Sequence, residues 1–263
     1  MFDLKGKKAL ITGASSGFGA DFADILAKKG VDLIVTARRE EKLNALKTEI
    51  EEKYGVKVRV IAMDLTGFDA AERLYAEVRN ENIDILINNA GYGMYNWFGK
   101  QDAAELNRMV QLNVVSAMTL ANLFTKDFSE KNSGWILNTA SFAAFNPTPF
   151  YTVYGATKAF LMNFSVALRT ELKKSGKNVA VTAFCPGFTD TEFVQTARQK
   201  RSKFLEMTIG KSYPAADEAI NGLMENKPVV MPRLMNRFGA FVLRFLPRSL
   251  AAEAAFFSIR DKN

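Results

Sequence analysis

The chain has 263 residues, 48% hydrophobic and 24% charged, enough to bury one sizeable core and keep a soluble surface. It contains no histidine and a single cysteine, Cys185, which excludes a Ser-His-Asp triad, a histidine-based metal site and any internal disulfide. The net charge of +7 is carried by Lys and Arg mixed with Glu and Asp rather than gathered in one basic block, which argues against nucleic acid as a partner.

The first apolar run, residues 9–12, reads as a strand, and Thr12-Gly13-Ala14-Ser15-Ser16-Gly17-Phe18-Gly19 follows it directly. Glycines there let the backbone turn sharply and approach a ligand with no Cβ in the way. A helix over residues 18–29 carries Phe22, Ile25 and Leu26 on one face. Its N-terminal N–H groups and positive dipole end meet the loop, an arrangement that seats a pyrophosphate. Residues 33–36 read as the second strand. An NAD site places a carboxylate near the end of this strand to hold the ribose hydroxyls. Here the chain reads Thr36-Ala37-Arg38-Arg39. A missing carboxylate and a planar guanidinium fork point instead to the 2′-phosphate of NADP(H). At ~1.5–3 kcal/mol for each charge-assisted hydrogen bond, one or two favour NADP over NAD by roughly ten- to a thousand-fold.

A helix over residues 40–53 repeats Leu43, Leu46 and Ile50 at helical spacing. Strand-like runs follow at 58–62, 83–87, 135–138 and 179–184, with 228–231 as a seventh, and longer helices at 103–128 and 151–174. Nearly continuous apolar strands alternating with helices predict one α/β domain over residues 1–232. Its expected core is a doubly wound, seven-stranded parallel sheet with right-handed crossovers and helices on both faces. On the helix 151–174, Tyr154 and Lys158 share a face, about 5–6 Å apart at Cβ. A cation at that distance, at an effective dielectric of about 20, contributes ~3 kcal/mol, an expected fall of about 2 units from the phenol's usual value near 10. That would bring Tyr154 toward a range useful for acid–base chemistry. An Asn in the apolar run Leu112-Asn113-Val114-Val115 is unfavourable without partners. Cys185 reads as a buried small residue, not a nucleophile.

Several further motifs stand in order: Asp64-Leu65 after the third strand, Asn88-Asn89-Ala90-Gly91 after the fourth, and Ser141 thirteen residues before Tyr154. After the sixth strand comes Cys185-Pro186-Gly187-Phe188-Thr189-Asp190-Thr191. With the spacing Thr-Gly-x-x-x-Gly-x-Gly, this set resembles the short-chain dehydrogenase/reductase family, over about residues 5–232. The resemblance implies a Rossmann-type fold that binds its dinucleotide through Gly13, Ser15, Ser16, Gly17, Phe18 and Gly19, with Arg38 and Arg39 at the strand end. Asp64 and Leu65 would contact the adenine, and Asn89, Ala90 and Gly91 would serve the adenosine side. Pro186, Gly187, Phe188 and Thr189 would border the nicotinamide, with the Thr191 hydroxyl on its phosphates. Phe188 stands where family members often carry an aliphatic residue, a change that a backbone hydrogen bond tolerates.

For chemistry, the resemblance implies that Ser141 holds a substrate carbonyl, Tyr154 donates the proton, Lys158 tunes the Tyr and anchors the nicotinamide ribose, and Asn113 positions a relay water. No metal is needed. The expected activity is NADP(H)-dependent interconversion of a carbonyl and a secondary alcohol, as reduction of a hydrophobic or acyl-type ketone or aldehyde. NADP+-dependent oxidation of an alcohol or steroid-type substrate is the alternative. A non-catalytic NADP-binding regulatory protein is an alternative of another class, disfavoured by the intact Asn113, Ser141, Tyr154 and Lys158. The helices 103–128 and 151–174 correspond to those through which family members pair, so a homodimer or homotetramer is implied.

Residues 192–213 correspond to the family's substrate lid, and Met94, Tyr95, Trp97, Phe142 and Phe145 are candidate pocket walls. Beyond Pro232, a helical extension over residues 233–263 places Leu234, Phe238, Phe241 and Phe245 on one face beside Arg233, Arg237, Arg244 and Arg248. Packing on the domain or on a second subunit is favoured for it over an anionic membrane. With no leader pattern and no run of about 18 apolar residues, the expected location is the cytoplasm.

Overall fold

The computed structural model describes residues 4–189 and 210–260. Strands β1 (Lys8–Thr12), β2 (Asp32–Ala37), β3 (Val58–Ala62), β4 (Ile85–Asn88), β5 (Gly134–Thr139), β6 (Val179–Phe184) and β7 (Val229–Val230) form one parallel sheet in the order β3-β2-β1-β4-β5-β6-β7. The order in which strands are added reverses between β1 and β4, the switch point at whose carboxyl ends such a sheet leaves a crevice. The glycine loop leaves β1 at that crevice, and the Asn-Asn-Ala-Gly segment leaves β4 beside it.

Helices α1 (Gly17–Lys28), α2 (Glu40–Tyr54), α3 (Ala70–Val78), α4 (Ala103–Val110), α5 (Ala117–Glu130), α6 (Thr152–Lys174) and α7 (Ser212–Met224) cover the sheet. Successive strand residues point to opposite faces, so β1 sends Ile11 one way and Leu10 the other. Ile11 joins Phe22, Leu26, Leu43 and Ile220 from α1, α2 and α7. Leu10 joins Leu74, Phe124 and Phe128 from α3 and α5. Two further helices, α8 (Leu234–Leu243) and α9 (Arg248–Ile259), follow the last strand. Among the described residues no helix is long and apolar enough to cross a membrane.

The sheet agrees with the sequence expectation. The helices differ in four places. The expected helix 103–128 is α4 and α5 joined by a π-helical stretch, Gln111–Ser116, whose wider turn carries Asn113. α3 was not anticipated, because nine residues offering only Ala70, Ala71, Leu74 and Val78 make a faint period. α7 begins inside the stretch assigned to the lid. α9 owes its helix to Ala251, Ala252, Ala254 and Ala255, strong helix formers that leave little amphipathic pattern.

Candidate active site

At the end of β1 the Thr12 hydroxyl accepts the N–H groups of Asn89 and Ala90, each at 3.0 Å, and donates to the Ile87 carbonyl at 3.3 Å. The Asn89 amide donates to the carbonyls of Thr12 and Gly13 at 3.1 and 3.2 Å, and its oxygen accepts the Thr139 hydroxyl at 3.3 Å. These bonds tie the loop after β4 to the glycine loop. Gly13 sits at φ +68°, and its N–H donates to the Thr36 carbonyl at the end of β2, 2.8 Å away. A Cβ on Gly19 would lie 2.1 Å from the Gly13 carbonyl oxygen, so the loop folds onto α1 at a distance only glycine permits. Ser16 occupies the N-cap position of α1 without a side-chain capping bond, and Gly17 opens the helix at φ +54°. The Phe18 ring turns into the core, edge-on to Phe184 at 5.0 Å and stacked on Phe22 at 6.2 Å.

Beyond β2, the Arg39 guanidinium lies across the glycine loop. It donates to the Ser15 hydroxyl at 3.0 and 3.2 Å and to the Ser16 hydroxyl at 2.8 Å. Arg38 is exposed. It reaches Tyr92 electrostatically, as does Asp64, so these three groups gather at one edge. Asp64 accepts the Thr66 N–H at 3.0 Å, and Leu65 is buried, its carbonyl accepting the Ser116 hydroxyl at 2.6 Å. Hydroxyls, a guanidinium and a helix N-terminus around a loop with no room for a Cβ form a donor set suited to the phosphates of a dinucleotide.

The second half of the site is deeper. The Asn113 oxygen accepts the Tyr92 N–H at 3.1 Å, and its amide donates to the Tyr92 carbonyl at 2.9 Å and to Thr157 Oγ1 at 3.2 Å. The partners that an Asn in this helix demands are therefore present. Gly91 is pressed against the same group, since a Cβ there would lie 2.9 Å from Asn113 Oδ1 and 3.3 Å from Lys158 Nζ. Lys158 Nζ donates to the Thr139 carbonyl at 2.6 Å. Ser141 caps the short 3₁₀ turn Phe142–Phe145, accepting the Ala143 N–H at 3.1 Å, and its hydroxyl shares a hydrogen bond with the Tyr154 hydroxyl. Asn113, Ser141, Tyr154 and Lys158 thus converge from the π-helical turn, the end of β5 and α6.

The electrostatics correct one expectation. Burial pushes the Tyr154 phenol up to about 12, with the Ser141 hydrogen bond opposing, so the anticipated fall does not occur. Lys158 is itself 4% exposed, and burial pulls its ammonium down to about 8. Its Nζ lies 5.7 Å from the Tyr154 ring centre and bonds a backbone carbonyl. Withdrawal of both groups from water therefore outweighs their mutual effect. Cys185 is fully buried, as expected of a small core residue, and burial pushes its thiol up to about 12 while the Ser141 backbone N–H bonds it.

Pro186, Gly187, Phe188 and Thr189 leave β6 at the mouth of the crevice, the Pro186 carbonyl accepting the Phe142 N–H at 2.8 Å. Asn236 of α8 crowds Gly187, where a Cβ would lie 2.7 Å from its amide nitrogen. Thr189 bridges Gly210, while Thr191 and the lid residues 192–209 lie outside the described residues. Aromatic rings lead outward from Tyr154: Tyr151 at 5.7 Å, then Tyr95 at 5.4 Å from Tyr151, and Phe150 at 5.2 Å from Tyr95. Phe256 of α9 stacks on Phe150 at 5.1 Å, and Trp97 meets Phe150 at 5.0 Å. Phe142 and Phe145 stand on the α8 side, and Met94 is half-buried. Tyr92, Thr139 and Asn236 were missed from the sequence, and Thr12, though part of the glycine motif, was given no role of its own. Thr12 and Thr139 end strands beside motifs, a usable signal, whereas nothing local marks Tyr92 or Asn236.

A family model described as short chain dehydrogenase matches residues 7–202. A very-long-chain 3-oxoacyl-CoA reductase from Bos taurus is 32% identical over 213 residues, 79% of this chain and 67% of that protein. The chain spans 55% of the length of its Neurospora crassa counterpart, at 37% identity over 68% of this chain. Among solved structures, a short-chain dehydrogenase from Sphingobium yanoikuyae in complex with NADPH aligns with a TM-score of 0.81, 31% identity, and coverage of 94% of this chain and 99% of that one. A bulky-bulky ketone specific alcohol dehydrogenase from Comamonas testosteroni aligns with a TM-score of 0.77 and 30% identity, covering 94% of this chain and 98% of that one.

Proposed function

The chain belongs to the short-chain dehydrogenase family, and from that premise we propose that it is an NADP(H)-dependent reductase of bulky apolar or acyl-type ketones and aldehydes. The observation that carries the reading is the shared hydrogen bond between the Ser141 and Tyr154 hydroxyls, beside a buried Lys158 and the glycine cradle. Two hydroxyls on one point can both hold a carbonyl oxygen. When bound, a reduced nicotinamide supplies the hydride that converts the carbonyl carbon to an alcohol carbon. Ser141 and Tyr154 fix the carbonyl oxygen, and Tyr154 gives that oxygen its proton as negative charge develops. Lys158, held by the Thr139 carbonyl, keeps a positive charge near the phenol as it loses its proton. Asn113 stands behind Lys158 across Gly91, where it can position a water that returns the proton.

Burial, which pushes the Tyr154 phenol up to about 12, keeps it protonated at neutral pH, the form a proton donor needs in the reductive direction. The preference for NADP(H) is supported by Arg39 on Ser15 and Ser16, with Arg38 alongside and no carboxylate from Thr36 to Arg39. A 2′-phosphate would bond the guanidinium and hydroxyls that now bond each other. The rings of Tyr95, Phe150, Tyr151 and Phe256 support a bulky apolar substrate, in keeping with the substrates in the relatives' descriptions. The implied homo-oligomer has its support in Met118 and Phe160, partly exposed on α5 and α6. The test is consumption of NADPH and NADH against medium- and long-chain 3-oxoacyl thioesters, bulky diaryl or dialkyl ketones and short aldehydes. Turnover of the bulky or acyl compounds with NADPH is expected. Activity only on short aldehydes would overturn the substrate class, and equal use of both cofactors would overturn the cofactor preference.

A further inference from the structure

We infer that the outer face of α8 is a docking surface for an anionic lipid membrane. α8 buries Ala240, sets Gly239 against Phe142 and packs Asn236 on Gly187. On the opposite side, Leu234, Phe238, Phe241 and Phe245 are 79%, 69%, 57% and 73% exposed. Leu234, Phe238 and Phe241 follow at spacings of four and three on α8, and Phe245, just past its end, meets the Phe241 ring at 5.2 Å, so the four make a single stripe. Water gains nothing from four large apolar side chains in a row, and an exposed stripe of this kind marks a contact surface.

Charge decides what the stripe meets. From Arg233 to Arg248 the chain carries four arginines and no carboxylate. Arg237 and Arg244, seven residues apart, run along one edge of the stripe. Arg237 is paired with Glu218 of α7, while Arg244 and Arg248 have no ion-pair partner among the described residues. A shallow hollow of about 240 Å³ beside the stripe is lined by Phe145, Met231, Phe241 and both Arg237 and Arg244, so apolar and cationic groups meet there. A second copy packing stripe to stripe around a two-fold axis would bring these cationic edges together with no acid on α8 to offset them. Lipid tails under anionic headgroups satisfy both features: the phenylalanines enter the acyl boundary and the guanidiniums meet phosphates. The surface also adjoins the mouth of the crevice, since α8 touches Gly187 and Phe142. On the reductase reading above, an apolar carbonyl compound could pass from the bilayer to Ser141 and Tyr154.

The test is co-sedimentation of the full chain with phosphatidylglycerol-containing vesicles and with pure phosphatidylcholine vesicles, at low salt and without substrate. Its readout is independent of turnover, so it stands or falls apart from the proposed activity. Binding to the anionic vesicles is expected to exceed binding to neutral ones at least tenfold. Arg244→Gln with Arg248→Gln should weaken it roughly 25-fold, about fivefold for each charge near the surface. Phe238→Ser with Phe245→Ser should weaken it as much while leaving the circular dichroism spectrum unchanged. Equal binding to both vesicle types overturns the inference, as does no binding by a folded wild-type chain. A dimer that the Phe double variant dissociates, with no vesicle binding, assigns the stripe to a second copy and also overturns it.

Discussion

The two halves of the crevice are built on opposite physical terms. At the outer half, Arg39, Ser15 and Ser16 meet at the exposed end of β2, and their hydrogen bonds compete with water. At the inner half, Lys158 and Asn113 are buried and Tyr154 is largely withdrawn from water, and the surroundings shift the titration of Tyr154 and Lys158. The outer half recognises by charge and shape, tolerates a local change and responds to salt. The inner half works through groups whose proton affinity the fold has moved, so one substitution there removes chemistry without removing binding.

That contrast would break if the two halves failed together. Tyr154→Phe is expected to lower turnover by roughly 10²–10⁴-fold, the usual worth of a positioned acid, while NADPH affinity measured by fluorescence or calorimetry stays within about twofold. A comparable loss of binding would show that the inner half also holds the dinucleotide. Gly19→Ala attacks the glycine loop itself, because its Cβ would fall 2.1 Å from the Gly13 carbonyl oxygen. Overpacking of that kind costs about 3 kcal/mol and should lower Tm by roughly 6–12 °C, with NADPH binding lost alongside. An unchanged Tm would mean the loop is looser than described.

Arg39→Asp should weaken NADPH roughly 10- to 1,000-fold, the worth of one or two charge-assisted bonds, and leave NADH nearly unaffected. Turnover at saturating cofactor should hold, because the change is confined to the outer half. Raising the salt concentration should act in the same direction and more weakly, read as KM for NADPH.

The smallest effects are those of pH. Reduction should decline above about pH 8, where Lys158 loses its proton, while Tyr154 remains protonated. A rate that held level to pH 10 would remove Lys158 as the charge beside the phenol. Folding responds to the same group with the opposite sign. Lys158 ordinarily titrates at 10.5 and here at about 8, so between those values the unfolded chain holds a proton that the folded chain has shed. This site's contribution to stability therefore rises from pH 8 to 10.5 and is lowest below 8. Chemical denaturation across that window checks it.

Much of the fold was legible without coordinates. Strands covered on both faces read as unbroken apolar runs such as Leu33 to Thr36, and the glycine loop stood between the first strand and its helix. Those features are local, and local spacing determines them. The pairing of Tyr154 with Lys158 was equally legible, being a matter of four residues on one helix. Less legible were the short or alanine-rich helices α3 and α9, whose apolar period is faint, and the wide turn at Gln111–Ser116 that brings Asn113 to Tyr92 and Thr157.

By itself, then, the sequence determined the sheet, the place of the dinucleotide loop and which hydroxyls, amides and cations belong to one site. Tertiary structure alone decided that Thr139 holds Lys158, that Arg39 rather than Arg38 spans the glycine loop, that Asn236 closes over Gly187, and that the Tyr154 phenol is raised rather than lowered. The reason is that desolvation depends on every atom packed around a group. Those atoms come from segments as distant along the chain as Gly91 and Cys185, and no short window of the chain contains them.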